Sequence, residues 1–186
     1  MIAGLEAFTT SYADNYDNGY IVPARSRKGI RSVASSVRKQ CDVDELSPFP
    51  IMNFLEMTLP RYFKDFTLRI ATPKTMEGAN ALTTPSRNTI ILNEDIYDAA
   101  CNDEGHGRLT VAHEIGHLLL HRNIKCEELV NEKTEKYKNS EWQASAFAGE
   151  LLMPAECIST MEPEEISQRY LVSRKAAEYQ KRVCSR

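Results

Sequence analysis

A chain of 186 residues with 42% hydrophobic and 26% charged residues can bury a sizeable core, and its net charge of −3 offers no general attraction for nucleic acid or an anionic membrane. No basic start precedes an apolar core at the N-terminus, and no apolar run approaches the ~20 residues that span a bilayer, so neither a signal peptide nor a membrane anchor is expected. The five cysteines (Cys41, Cys101, Cys126, Cys157 and Cys184) are scattered without a C-x-x-C, which points to reduced thiols in a cytoplasmic protein and away from a disulfide frame.

Residues 1–25 show neither helical nor strand periodicity and read as a partly ordered N-terminal arm, with residues 26–186 forming one domain. Residues 26–40 place Ile30, Val33, Ala34 and Val37 at helical spacing beside a basic face. A short helix is expected over 50–57 and a strand over 66–71. The β-rich run 88–93 reads as a second strand, and 78–83 as a possible third. A short helix over 94–101 leads to the apolar stretch 109–120, which no proline breaks. Residues 125–140 are polar and read as solvated helix or loop, and 141–152 as a helix that ends before Pro154. This order of helices, a small sheet and more helices predicts an α+β fold.

The stretch 109–120 contains His113-Glu114-Ile115-Gly116-His117, an H-E-x-x-H motif. On a helix, residues four apart share one face, so both imidazoles can reach one metal ion with Glu114 beside them to handle a proton. That is the chemistry of a zinc-dependent peptidase, with one Zn2+ per chain. Leu109, Val111, Ala112, Ile115, Leu118, Leu119 and Leu120 cover nearly the whole circumference, so the helix is expected to be buried all round.

Catalytic zinc takes a third protein ligand. The extended motif H-E-x-x-H-x-x-G-x-x-H is excluded, because Leu120 and Asn123 stand where it needs glycine and histidine. His121 is one turn beyond His117; three histidines spaced four apart on a straight helix do not easily converge on a tetrahedral ion, so His121 is expected to line the cleft or cap the helix. Among Glu127, Glu128, Glu132, Glu135, Glu141 and Glu150, the best placed is Glu141. It shares a helix face with Ala144, Ser145, Ala148, Leu151 and Leu152, whose small members permit close helix approach. Glu150 falls about 180° away on the same count and reads as a solvent residue. Candidates for stabilising an oxyanion are His121, Tyr137 and His106, the last in a glycine-flanked run that reads as a mobile loop. Ile90 and Leu92 belong to the strand that is the candidate to receive an extended substrate by strand addition, a plain core strand being an equal alternative.

Arg108 to His121, followed by Glu141-x-x-Ala144-x-x-Phe147-Ala148-x-x-Leu151-Leu152-Met153-Pro154, resembles the ImmA/IrrE family of bacterial and phage metallopeptidases. The similarity takes in Asn88 to Asn93 and a Val172-Ser173-x-x-Ala176 segment, and covers roughly residues 47–182. The resemblance implies a zincin-like minimal metallopeptidase domain of gluzincin type, with His113, His117 and Glu141 as zinc ligands and Glu114 as catalytic base. It also implies a protein substrate, a helix-turn-helix transcriptional repressor of a phage, mobile element or stress regulon. Family members known for sensing carry a further domain, and a chain ending at Arg186 is expected to be the minimal form.

Residues 164–183 look like helix, turn, helix and carry Arg169, Arg174, Lys175, Lys181 and Arg182. The expectation is a terminal helical pair packed on the domain, with direct DNA binding disfavoured by the acidic overall balance. The rival functions are a toxin-like component paired with a DNA-binding antitoxin, and a DNA-binding regulator with a structural or sensory metal.

Overall fold

The computed structural model describes residues 19–84, 88–124, 130–131 and 133–184. Helix α1 spans Arg27–Gln40, opened by Ser26, whose hydroxyl accepts from the Gly29 N–H. Ile30 and Ala34 turn its apolar face inward against α6. The next helical run is longer than its hydrophobic pattern suggests. Helix α2 (Ile51–Asn53) passes through a π-helical stretch, Phe54–Thr58, into α3 (Leu59–Tyr62). Pro60 has no N–H for an i−4 bond and its ring crowds that carbonyl, and a π-bulge lets the helix continue past it.

The three-stranded sheet has the order β1-β3-β2. Strand β1 (Thr67–Ala71) runs parallel to β3 (Thr89–Asn93), and β2 (Ala81–Thr84) runs antiparallel to β3. Strand β2 starts later than expected because Gly78 takes φ 86° in a turn ahead of it. β3 is therefore central and paired on both sides, and Ile90 and Leu92 are completely buried. Their assignment to a substrate-receiving edge is corrected: the edge strand beside the H-E-x-x-H helix is β2.

Asn93 caps α4 (Glu94–Cys101) by accepting from Asp95 N–H. Helix α5 (Gly105–His121) follows and is buried on nearly every side, as its sequence predicts. His106 is not in a loop but in the first turn of α5, exposed, two turns ahead of His113. A 3-10 turn, Lys136–Lys138, leads to α6 (Ser140–Leu152). Of the polar stretch 125–140, residues 125–129 and 132 lie outside the described residues, as do residues 1–18 of the arm.

The rest of the arm is built into the fold. Val22 N–H donates to Lys138 O, Arg25 N–H to Tyr137 O and Ser140 N–H to Tyr20 O, which lays residues 20–25 along the entry to α6. Gly19 packs closely there: a Cβ would stand 2.6 Å from Asn139 Oδ1, so the capping side chain would have to shift.

Glu150 is the clearest departure from expectation. It does not face solvent: its side chain is 0% exposed and pairs with Arg27 and Arg31 of α1, each at 2.9 Å. Helix α1 covers the back of α6, and a carboxylate enclosed there needs cations.

After α7 (Ala155–Ile158), helices α8 (Pro163–Tyr170) and α9 (Arg174–Cys184) pack together around Leu171, which adopts the left-handed conformation. Ile166, Tyr170, Val172, Ala176 and Ala177 join the core. Arg169 pairs with Glu165, Arg174 with Glu178 and Lys181 with Glu162, so much of the positive charge of this pair is locally answered. No helix among the described residues is long and apolar enough to cross a membrane.

Candidate metal centre

Helices α5 and α6 cross in close contact. Gly116 permits it: a Cβ there would stand 3.0 Å from Ala144 O and 3.1 Å from Phe147 Cδ1. The approach brings the first turn of α6 over the H-E-x-x-H face. Asn139 caps α6 by accepting from the N–H groups of Glu141 and Trp142, and the helix dipole favours a carboxylate at that end.

His113, His117 and Glu141 converge. His113 Nε2 lies 3.1 Å from Glu141 Oε2, His117 Nε2 3.3 Å from Glu141 Oε1, and the two Nε2 atoms 3.0 Å apart. They form a group among the described residues able to hold a metal ion, with their ligand atoms within 4.8 Å of one another. Bonds of the length zinc makes to nitrogen and oxygen place tetrahedral ligands about 3.3 Å apart, so the donor set fits the ion in chemistry and spacing.

The charges are coupled. Burial alone would raise the Glu141 carboxyl, but the charge on His117 and hydrogen bonds from both histidines hold it well below the usual carboxylate range. Burial alone would lower His117, and the Glu141 carboxylate, with Glu114 behind it, raises it above an ordinary imidazole. These opposed shifts mark a pocket that stabilises positive charge against Glu141.

Glu114 is 7% exposed, lies near enough to His117 to act on its charge, and reaches the sheet edge. Thr83 of β2 donates its hydroxyl to Glu114 Oε2 at 2.6 Å. Among the described residues Oε1 carries no hydrogen bond, which leaves it for a proton. Sequence reasoning missed Thr83, because nothing local to 81–84 says that α5 lies beside it.

The remaining candidates fall outside the cluster. His121 is 1% exposed and sits behind His117, with the two Nδ1 atoms 3.3 Å apart; it neither lines the cleft nor caps the helix. Burial and the charge on His117 push its pKa down to about 3. The Tyr137 hydroxyl donates to Glu135, while its carbonyl accepts from Gln143 Nε2. His106, Ile90 and Leu92 are placed elsewhere, as described above. Two supporting residues had gone unassigned: Ser145, whose Oγ lies 3.2 Å from His113 Nδ1, and Gln143, whose Oε1 lies 3.2 Å from His121 Nε2.

No curated protein matches the chain. Its sequence does match the IrrE N-terminal-like domain of Peptidase_M78 over residues 64–181, a stretch that contains β1 to β3, the whole H-E-x-x-H helix and Glu141. The chain therefore belongs to the Peptidase_M78 family of metallopeptidases, in agreement with the ImmA/IrrE resemblance of its motifs.

Proposed function

We propose that the protein is a zinc-dependent endopeptidase making a site-specific cut in a regulatory protein, a helix-turn-helix transcriptional repressor of a phage, mobile element or stress regulon. The observation that carries the enzymatic part is the donor triangle of His113, His117 and Glu141 with the Glu114 carboxylate held beside it by Thr83. Two imidazoles and one carboxylate form a ligand set of catalytic zinc, which keeps a fourth position open. The repressor rests on the family resemblance. The free thiols of Cys41, Cys101, Cys157 and Cys184 suit a reducing compartment, and we place the protein in the cytoplasm.

Held by His113, His117 and Glu141, a zinc ion would supply Lewis acidity, polarising the scissile carbonyl and easing deprotonation of the attacking water. Glu114 takes the proton from that water and delivers it to the leaving amine. Thr83 keeps the carboxylate turned so that one oxygen stays available for both transfers. The engaged basic side chains of α8 and α9 favour this reading over a DNA-binding regulator.

Co-expression with neighbouring repressors is the test, comparing wild type with Glu114→Gln. An amide cannot accept the water proton, so the variant should keep one zinc per chain and leave the repressor whole, while wild type cuts it. Repressors all left intact by zinc-loaded wild type would refute the substrate. Cutting by Glu114→Gln at the wild-type rate would refute the role of Glu114.

A further inference from the structure

We propose that Gln143 and His121 are positioning residues of the metal centre, fixing the tautomer in which His117 presents Nε2 to the ion. The inference rests on the metal-centre reading above and concerns residues that the reaction itself does not use.

The Gln143 side chain is completely buried. Its Nε2 lies 2.9 Å from Pro23 O and 2.8 Å from Tyr137 O. Both are carbonyls and can only accept, so both amide hydrogens are committed to them. A flipped amide would set Oε1 against two carbonyls. The end that faces His121 is therefore Oε1, an acceptor with no proton to give.

The rest follows ring by ring. His121 Nε2, 3.2 Å from Oε1, must carry the hydrogen. In the neutral ring its Nδ1 is then bare and must accept. The atom facing it at 3.3 Å is His117 Nδ1, which carries the hydrogen in turn. A neutral His117 so held has its lone pair on Nε2, the atom directed at Glu141 and His113. His113 is held separately, through Nδ1 and Ser145 Oγ. An imidazole free to choose between tautomers would spend part of its time with an N–H aimed at the ion, and outer partners of this kind are worth about 10–100-fold in metal affinity.

The far end of the relay is backbone from two segments. Pro23 belongs to residues 20–25, which are bonded to the chain around Tyr137, Lys138 and Ser140. Pro23 also precedes residue 64, where the family match begins. The orientation of a metal ligand in the matched region is thus set by a carbonyl outside it.

Two measurements on the full chain test the relay. In zinc-loaded, 15N-labelled protein, long-range proton–nitrogen correlation should show His117 protonated on Nδ1 and metal-bound through Nε2, with His121 protonated on Nε2. His117 bound through Nδ1, or His121 protonated on Nδ1, overturns the proposal. By chelator competition, His121→Phe and Gln143→Leu should weaken zinc binding about 10–100-fold. His121→Asn, whose amide oxygen can still accept from His117, should recover most of the loss. Folded His121→Phe with wild-type affinity, or His121→Asn no better than His121→Phe, also overturns it. Wild-type protein that takes up no zinc refutes the metal-centre reading itself, and the relay with it; loss of zinc in His117→Ala alongside an unaffected His121→Phe refutes the relay alone.

Discussion

Replacing Glu150 with alanine removes a carboxylate enclosed between α6 and α1. Its side chain is 0% exposed, whereas Arg27 and Arg31 retain 18% and 33%. Breaking a buried ion pair costs about 3–5 kcal/mol when the remaining charge is trapped. Here both guanidiniums can turn towards water, and Arg27 keeps its 2.7 Å bond to Gln180, so the cost should fall to about 2–3 kcal/mol. For a chain of this size each kcal/mol moves Tm by about 2–4 °C, which predicts a fall of about 4–12 °C. Glu150 faces away from Glu141 around α6, so the variant should still bind one zinc. Thermal unfolding followed by circular dichroism, with metal content of the folded protein measured in parallel, checks both statements. An unchanged Tm would mean that the two ion pairs contribute no net stability. Zinc lost at unchanged Tm would place Glu150 in the metal centre and refute the geometry described above.

Three further outcomes are expected. Thr83→Val, which keeps shape but removes the hydroxyl donor to Glu114, should retain zinc and lower kcat about tenfold, in line with the loss of about 1.5 kcal/mol for a bond to a charged group; Thr83→Ser should restore it, and full kcat in the valine variant would dismiss the contact as incidental. Gly116→Val should force α6 away from α5, costing about 1–3 kcal/mol by overpacking and weakening zinc binding through Glu141, as denaturant unfolding and chelator competition would show; unchanged zinc affinity would contradict the role given to that glycine. Burial raises the thiol pKa of Cys41, Cys157 and Cys184, leaving less of the reactive thiolate at pH 7.5. Iodoacetamide should therefore modify the exposed Cys101 before any of these three, and peptide mapping that finds Cys184 labelled first would contradict this.

Much of the centre is legible in the sequence because one helical period governs it. Spacing alone puts His113 and His117 on one face, and the small residues on the Glu141 face announce a close helix crossing. The same count fails for Glu150, since it gives a direction around α6 but not what lies in that direction. What lies there is α1, more than a hundred residues away in the chain, and its two arginines. β-Rich composition identified residues 88–93 as a strand, yet strand order is set by long-range pairing, so the central position of Ile90 and Leu92 could not be read. The glycines around His106 suggested mobility. In the fold they serve close packing: a Cβ on Gly107 would stand 2.5 Å from Ala100 N, and one on Gly105 would meet the backbone of Val172 and Ser173.

Strand β2 pairs on one side only among the described residues, and the Thr83 side chain on it touches Glu114. A polypeptide that pairs along its other side must already be extended, with its own internal backbone bonds given up. The interior of a folded helix or sheet in a target cannot satisfy that demand. Were a target taken at this edge, part of the selectivity would reside in the target, and the cutting rate would scale with the fraction of molecules in which a linker or a locally opened element is stretched out. A regulator whose folding equilibrium shifts under stress would be cut faster with no change in the enzyme at all.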